Sequence, residues 1–274
     1  MIMTKGFSGA AARSGFSLVE LSIVLVILGL LTGGILTGQN LIRAAELRSV
    51  VTEFKTYQTA FSSFRDKYFS IPGDMQQAER FWPVASGCGA QVNAASHGET
   101  CSGDGDGKIN LLVTPIYDQE VFWTWQHLAL AGLIPGSYSG RGQPNATDVV
   151  VGSNIPQSKI PSAGWNVYNH HPSNDDYGNY FNFDHGNFIY LGAPGPSDYA
   201  YPDLFTPEEA WSIDKKVDDG KPARGKFIGL IKGWRNSSGW DGQCTTSSSR
   251  NDLDADYRLE ETAQYCNAVF IRAF

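Results

Sequence analysis

The sequence lacks an excess of basic residues and the short motifs that mark many enzymes. Lys and Arg total 21 against 28 Asp and Glu, which gives a net charge of −7. A nucleic-acid-binding domain usually carries a basic face, and the overall charge gives no sign of one. There is no Walker-type phosphate loop and no Gly-x-Ser-x-Gly nucleophile elbow; the nearest segment, residues 136–140, has Tyr138 at its centre. We therefore expect neither a nucleic-acid partner nor an enzyme.

Cysteine is also scarce, with four in the whole chain and no Cys-x-x-Cys spacing of a zinc or redox site. The four are Cys88, Cys101, Cys244 and Cys266. They allow three pairings, and the sequence alone does not choose between them. In an exported chain we expect two disulfides, with pairing between sequence neighbours as the simplest hypothesis. Each bridge would contribute about 2–4 kcal/mol of stability. In a cytosolic chain the four would instead be reduced and buried.

Charge is almost absent from Phe16 to Leu36, where Glu20 is the only ionisable residue. About 20 residues at 1.5 Å each span the ~30 Å hydrocarbon layer of a membrane. Residues 1–15 carry Lys5 and Arg13 and no acid, so the leader is expected in the cytoplasm and the rest of the chain outside. A secretory signal peptide would have a shorter apolar core and an Ala-x-Ala site.

Glu20 is the unusual residue of this apolar segment. An acidic side chain within a membrane span costs about 2.5–3.5 kcal/mol on insertion scales and needs a partner. Cleavage between Gly15 and Phe16 would create a cationic α-amine four residues before Glu20. That amine would lie near Glu20 of the same subunit and within reach of Glu20 on a neighbouring helix. A carboxylate near a helix N-terminus also meets the positive end of the helix dipole.

The hexapeptide Gly15-Phe16-Ser17-Leu18-Val19-Glu20, with its apolar tail, resembles the type III signal of type IV prepilins and pseudopilins. The resemblance implies that a prepilin peptidase cleaves after Gly15 and N-methylates Phe16, and that Glu20 is the assembly glutamate. It also implies an inner-membrane platform protein, an assembly ATPase, and other pilins or further copies of this chain as partners. One departure is that many members have a proline midway along the first helix, whereas this chain has none before Pro72.

The function that the resemblance implies is that of a structural subunit of a type IV pilus-like filament. The chain would cross the inner membrane once, N-terminus in the cytoplasm, and later stand in a periplasmic or extracellular filament. A type II secretion pseudopilin, minor or major, is the alternative within this class. A membrane-tethered, calcium-dependent binding or adhesin module is an alternative of another class. A generic signal anchor, in which Glu20 is incidental, also remains open.

Beyond Asn40 the helical pattern becomes amphipathic, and Ile71-Pro72-Gly73 is expected to end it. Glu53 is among the residues assigned to the polar face. We predict three parts: a removed leader at 1–15, a long helix at 16–70 whose first half (about 16–37) is transmembrane, and an extracytoplasmic globular domain at 71–274. The apolar stripe consists of residues spaced by three and four: Leu47, Val50, Phe54, Tyr57, Phe61, Phe64 and Tyr68.

The globular part is predicted to combine short helices with a mainly antiparallel sheet, which makes the chain α+β and pilin-like. Asp74 is expected to cap a short helix that ends at Phe81, and Thr206 to open a capping box. A further helix is predicted over 118–131. Alternating residues predict a hairpin with strands at 180–183 and 188–191, and further strands at 226–231 and 268–271.

Residues 104–107, Asp-Gly-Asp-Gly, resemble the middle of a calcium-binding loop. The EF-hand frame fails at both ends, where Ser102 and Val113 replace acidic ligands. A calcium site of another kind, built from Asp104, Asp106 and Glu120, is one hypothesis, and a plain turn is the other.

Two further polar groups are weaker candidates for metal binding. Three acids lie at the end of a predicted helix: Asp214, Asp218 and Asp219. The second group lacks the spacing of a zinc site, so we expect its members to be exposed polar residues of a loop: His170, His171, Asp175, Asp176 and His185.

Overall fold

The computed structural model describes residues 17–85, 88, 99–110, 120–142, 149–170, 180–193, 203–231 and 244–274. The predicted leader, Gly15 and Phe16 lie outside these residues. The chain divides into two units, residues 1–45 and residues 46–274.

The first helix, α1, runs from Leu18 to Tyr68 and is 51 residues long. It begins with a stretch long and apolar enough to cross a membrane. The large apolar side chains between Leu18 and Ile42 are each 50–86% exposed. The helix ends slightly before the predicted stop, because Phe69 adopts a left-handed backbone conformation with φ of 53°.

The second part of α1, in the unit of residues 46–274, buries the predicted stripe. Phe54 stacks on Phe270 with ring centroids 4.1 Å apart, and Phe61 stacks on Phe274 at 4.0 Å. Tyr57 is partly buried and meets Trp125 and Trp165 edge-on. The members that are fully buried are Leu47, Val50, Phe54, Phe61 and Phe64. The pattern of threes and fours therefore predicted the packed face correctly.

The sheet has four strands in the order β1-β2-β4-β3, and each neighbouring pair is antiparallel. The strands are β1 (Gly164–His170), β2 (Gly186–Gly192), β3 (Phe227–Ile228) and β4 (Ala268–Ile271). Two further helices accompany them, α2 (Glu120–Leu130) and α3 (Pro207–Val217). The architecture is α+β, as predicted.

The predicted hairpin around residues 184–187 is wrong. Strand β2 pairs with β1, in the register Val167 opposite Ile189, and residues 180–183 are not a strand. Phe183 N–H donates to the Phe181 carbonyl at 3.0 Å in a tight turn, and Phe181 is fully buried. The apolar alternation of this segment reflects local packing of aromatic rings instead of strand pairing.

The helix predictions had mixed outcomes. The capping box at α3 is confirmed, because Thr206 Oγ1 accepts from Glu209 N–H at 3.2 Å and the Glu209 carboxylate accepts from Thr206 N–H at 3.0 Å. The helix predicted after Asp74 is wrong: a single 3-10 turn, Ala78–Arg80, stands there, and Asp74 does not cap it. Its carboxylate turns towards another loop, described below.

The sequence pattern assigned Glu53 to the polar, solvated face of α1, and the structure corrects this assignment. Its Oε2 accepts from Trp165 Nε1–H at 2.6 Å and from the Ser158 hydroxyl at 2.7 Å. Its Oε1 accepts from Lys159 N–H at 3.1 Å. One carboxylate thus joins α1 to β1 and to the loop before it.

Replacing Glu53 by alanine should destabilise this unit by about 2–3 kcal/mol, because hydrogen bonds to a charged group are strong and Trp165 Nε1–H would be left buried without an acceptor. Denaturant unfolding of the full chain in detergent, followed by tryptophan fluorescence, measures the change. Asp66→Ala, at an exposed position of the same helix, should change stability by less than about 0.5 kcal/mol. A loss of similar size in both variants would contradict the role assigned to Glu53.

Candidate functional site

The first turn of α1 carries one carboxylate. Glu20 Oε2 accepts a hydrogen bond from Ser17 N–H at 2.9 Å, so the side chain caps a backbone donor that the helix leaves unsatisfied. Glu20 is the only charged residue from Leu18 to Ile42. Its negative charge also faces the positive end of the helix dipole.

The capped N–H belongs to the residue directly after Phe16, the predicted first residue of the processed chain. Glu20 therefore already directs an oxygen towards the end of the helix where cleavage would create an ammonium group. Gly15 and Phe16, the residues assigned to cleavage and methylation, lie outside the described residues.

Residues 11–36 match the family model of the prokaryotic N-terminal methylation motif. The chain carries a type IV prepilin-type signal. The match includes Gly15, Phe16 and Glu20 and ends within the apolar part of α1. This prepilin-type signal supports a type IV pilin- or pseudopilin-like protein and implies processing by a prepilin peptidase. The matched segment does not extend into residues 46–274.

A comparison with curated proteins gives no significant match, and a comparison with solved structures gives none either.

Two disulfides tie the globular part, Cys88–Cys101 and Cys244–Cys266. Cys101 is buried and packs in a small cluster with Trp123 of α2. Cys266 is buried next to β4, and its backbone N–H donates to the Phe205 carbonyl at 2.9 Å. Disulfides are typical of exported chains.

The structure brings together two of the three residues predicted for calcium and adds one that the prediction missed. Asp74, Asp104 and Glu120 each place a carboxylate oxygen within 4.8 Å of the other two. Asp106 is not part of this acidic cluster: its Oδ1 accepts from Lys108 N–H at 2.8 Å and closes the turn. An Asp that follows Pro-Gly after a helix is typical of the N-cap of the next helix. No local signal in the sequence therefore marked Asp74 as a possible metal ligand.

Backbone donors hold the cluster in place. Glu120, the first residue of α2, accepts from Asp104 N–H at 3.1 Å through Oε1 and from Asn110 N–H at 2.9 Å through Oε2. Asp74 Oδ2 accepts from Gly107 N–H at 3.0 Å. The two loops approach so closely at Gly103 that a Cβ there would lie 2.4 Å from the Gly73 carbonyl.

The cluster has an unusual electrostatic environment, since Asp74 and Glu120 are both buried. Burial raises the pKa of Asp74 to about 6, with the backbone N–H groups of Gly107 and Gly105 opposing the effect and neighbouring acids adding to it. Burial likewise raises the pKa of Glu120 to about 8, against the lowering by its two backbone donors. Both groups are therefore costly as bare anions.

The second acidic group, Asp214, Asp218 and Asp219, also converges, but its oxygens cap the end of α3. Asp214 accepts from Gly220 N–H at 3.1 Å and from the Tyr257 hydroxyl at 2.9 Å, one through each oxygen. Asp218 Oδ2 accepts from the backbone N–H groups of residues 226 and 227. These hydrogen bonds explain the cluster without an ion.

The expectation of exposed loop polarity is wrong for His170 and His185. Both are buried, and their rings stack on Tyr180 and Phe183, each with centroids 4.2 Å apart. His171, Asp175 and Asp176 lie outside the described residues.

Asp214→Asn should flatten the pH dependence of stability. Burial, with Asp218 beside it, raises the pKa of Asp214 to about 9. The folded chain therefore keeps a proton that the unfolded chain loses near pH 4, and the associated stability is lost as the pH rises from ~4 to ~9. Removing this group should reduce the slope between those limits by about 1.4 kcal/mol per pH unit.

Denaturant unfolding of the full chain in detergent, repeated from pH 5 to pH 8 in ~1 unit steps, measures that slope. The groups facing Asp214 are Asp218, Asp219 and Tyr257. Asp219→Asn, at an exposed member of the cluster, is the matched control and should keep the wild-type slope. An Asp214→Asn variant as steep as the wild type would show that Asp214 is ionised when folded.

Proposed function

We propose that this chain is a structural subunit of a type IV pilus-like filament, assembled through α1 after a prepilin peptidase removes residues 1–15 and methylates Phe16. The observation that carries the proposal is an exposed apolar helix surface that begins inside the matched methylation motif and carries one carboxylate at its start.

The exposed apolar surface of α1 needs a non-aqueous environment at every stage. Burying a large aliphatic side chain is worth about 1.5–3 kcal/mol, and α1 presents such side chains from Leu18 to Ile42. Before assembly the lipid hydrocarbon provides the environment. In a filament the same side chains pack between helices of neighbouring subunits.

The glycines of this stretch support close packing of helices. A Cβ built at Gly29, Gly33, Gly34 or Gly38 would meet nothing within 4 Å, so no contact among the described residues requires glycine there. Small residues let helices approach closely in apolar surroundings. The absence of proline before Pro72 leaves these glycines as the weak points of the helix.

Glu20 sets the axial register between the α1 helices of neighbouring subunits. Aliphatic side chains pack at many relative heights, whereas a carboxylate in an apolar core is stable only where it finds a cation. The α-amine of Phe16 in a processed neighbour is that cation. Axial sliding of one helix past another would separate the two charges, so the pair selects one height.

The proposal includes a cellular route. The unprocessed chain spans the inner membrane with residues 1–15 in the cytoplasm, and an assembly platform and its ATPase extract the processed chain into a periplasmic or extracellular filament. Its role there is structural and not enzymatic. Type II secretion pseudopilins resemble pilins in this same segment, so the charge-pair step applies to either system.

Glu20→Ala should remove the chain from filaments while leaving it processed and membrane-bound, because the variant keeps the cleavage site and the apolar helix. Glu20→Gln should fail as well, since it preserves size and removes the charge. Immunoblotting of sheared filaments against total membranes, in cells that build the filament, should show a loss of at least ~10-fold, the change that about 1.4 kcal/mol produces.

Glu208→Ala is the matched control, because Glu208 is an exposed glutamate of α3 far along the chain from the signal. It should leave filament content unchanged. Normal incorporation of the Glu20→Ala chain would overturn the charge-pair mechanism.

A further inference from the structure

We propose that Asp74, Asp104 and Glu120 bind one calcium ion and that this ion fastens the segment after α1 to the start of α2. The proposal concerns the globular part and is independent of how α1 assembles.

The three ligands come from segments far apart in the sequence. Asp74 follows the turn at the end of α1, Asp104 lies in the loop just after the Cys88–Cys101 disulfide, and Glu120 opens α2. Their nearest carboxylate oxygens lie within 4.8 Å of one another. Oxygens that each lie about 2.4 Å from one calcium ion are at most about 4.8 Å apart, so the spacing suits a shared ion.

A second observation points to a ligand. Asp74 is only 3% exposed, and its Oδ2 accepts from Gly107 N–H. No donor among the described residues meets hydrogen-bond geometry at its buried Oδ1; the nearby Gly105 N–H helps to lower the pKa of Asp74 but lies outside that geometry. A buried oxygen of a carboxylate rarely stays without a donor, because its lost hydration costs several kcal/mol. A cation at the centre of the cluster would satisfy this oxygen.

Among the residues that the structure describes, no ion pair joins Asp74, Asp104 or Glu120 to a basic side chain. Ion pairs such as Lys221–Asp256, Arg224–Asp254 and Arg258–Glu260 lie elsewhere. The nearby His127 is engaged elsewhere: its Nδ1 accepts from Gly73 N–H at 2.9 Å, and burial lowers its pKa to about 4.

The ligand type selects calcium among the common ions. The cluster offers only carboxylate oxygens, which suit hard cations and disfavour zinc and copper. Asp104 is exposed and leaves room for water ligands. Calcium tolerates irregular, seven-fold coordination from loops, whereas magnesium demands a near-ideal octahedron. Loop ligands from three segments therefore fit calcium better.

Calcium bound here would also position the start of strand β2. The loop that carries Asp104 continues to Ile109, whose N–H donates to Asn187 Oδ1 at 2.9 Å, and Asn187 Nδ2 donates to the Gly107 carbonyl at 2.9 Å. Asn187 lies at the start of β2. The cluster thus connects the end of α1, α2 and the central strand through one short loop.

The test is thermal unfolding of the full chain in detergent after removal of metals by chelation, with calcium chloride added back. At a concentration about 100-fold above Kd, Tm should rise by about 5–10 °C. Asp74→Asn and Glu120→Gln should abolish the rise. Asp219→Asn, which alters the other acidic group, should retain it in full.

Asp104→Asn keeps the assay informative if the buried variants fail to fold, because Asp104 is exposed. It should weaken calcium binding at least ~10-fold by isothermal titration calorimetry. The wild-type chain alone should bind one terbium ion per molecule, displaced by calcium. An unchanged Tm with chelator and with about 5 mM calcium, or a full calcium response in Asp74→Asn or Asp104→Asn, would overturn the proposal. An equal response to magnesium would overturn the assignment of calcium.

Discussion

The packing of one face of α1 against β4 is the interaction on which the unit of residues 46–274 depends. Phe54 lies flat on Phe270, and Phe61 lies flat on the terminal residue, Phe274. This brings the beginning and the end of that unit into one core. Strand β4 also stands between β2 and β3, so the ring contacts position the strand that holds the sheet together. Buried aromatic pairs contribute about 0.5–1.5 kcal/mol beyond their area, and here two of them are stacked in series along one helix.

The same helix meets two environments, and its carboxylates mark the difference. Glu53 accepts three hydrogen bonds from the sheet and its neighbouring loop, so its charge is satisfied within the chain. Glu20 accepts one, from Ser17 N–H, at the end of a segment that is otherwise apolar. A carboxylate in apolar surroundings is stabilised by further donors or a cation, and under the proposed function the Phe16 α-amine of a neighbouring subunit is that cation.

Local patterns predicted the elements whose own residues carry the signal. The apolar stripe of α1, the capping box at Thr206 and strand β4 follow from spacing, from reciprocal caps and from a β-branched and aromatic run. The failures concern which segment an element pairs or packs with. The prediction paired strand β2 with residues 180–183, because apolar residues alternate in that segment. The alternation there reflects the burial of aromatic rings, and β2 instead pairs with β1, which begins at Gly164.

The candidate sites divide in the same way. The prepilin-type signal is contiguous, so its residues are readable directly from the chain and agree with the matched motif. The acidic cluster is not contiguous: Asp104 and Glu120 stood out through a calcium-loop resemblance, but Asp74 was misread as a helix cap. Its burial arises from the approach of two loops at Gly73 and Gly103, which tertiary packing decides.

The acidic cluster and the first disulfide act on the same stretch of chain. The Cys88–Cys101 bridge fixes the loop covalently just before Asp104, and Glu120 holds the Asp104 and Asn110 backbone from the other side. A disulfide reduces the conformational freedom of the loop in the unfolded chain, whereas a bound ion would stabilise the docked position of the loop in the folded chain. The two constraints are therefore complementary. Both suit a chain that folds outside the cytoplasm, where thiols oxidise and where extracellular modules typically bind calcium with Kd values of about 10⁻⁴–10⁻³ M.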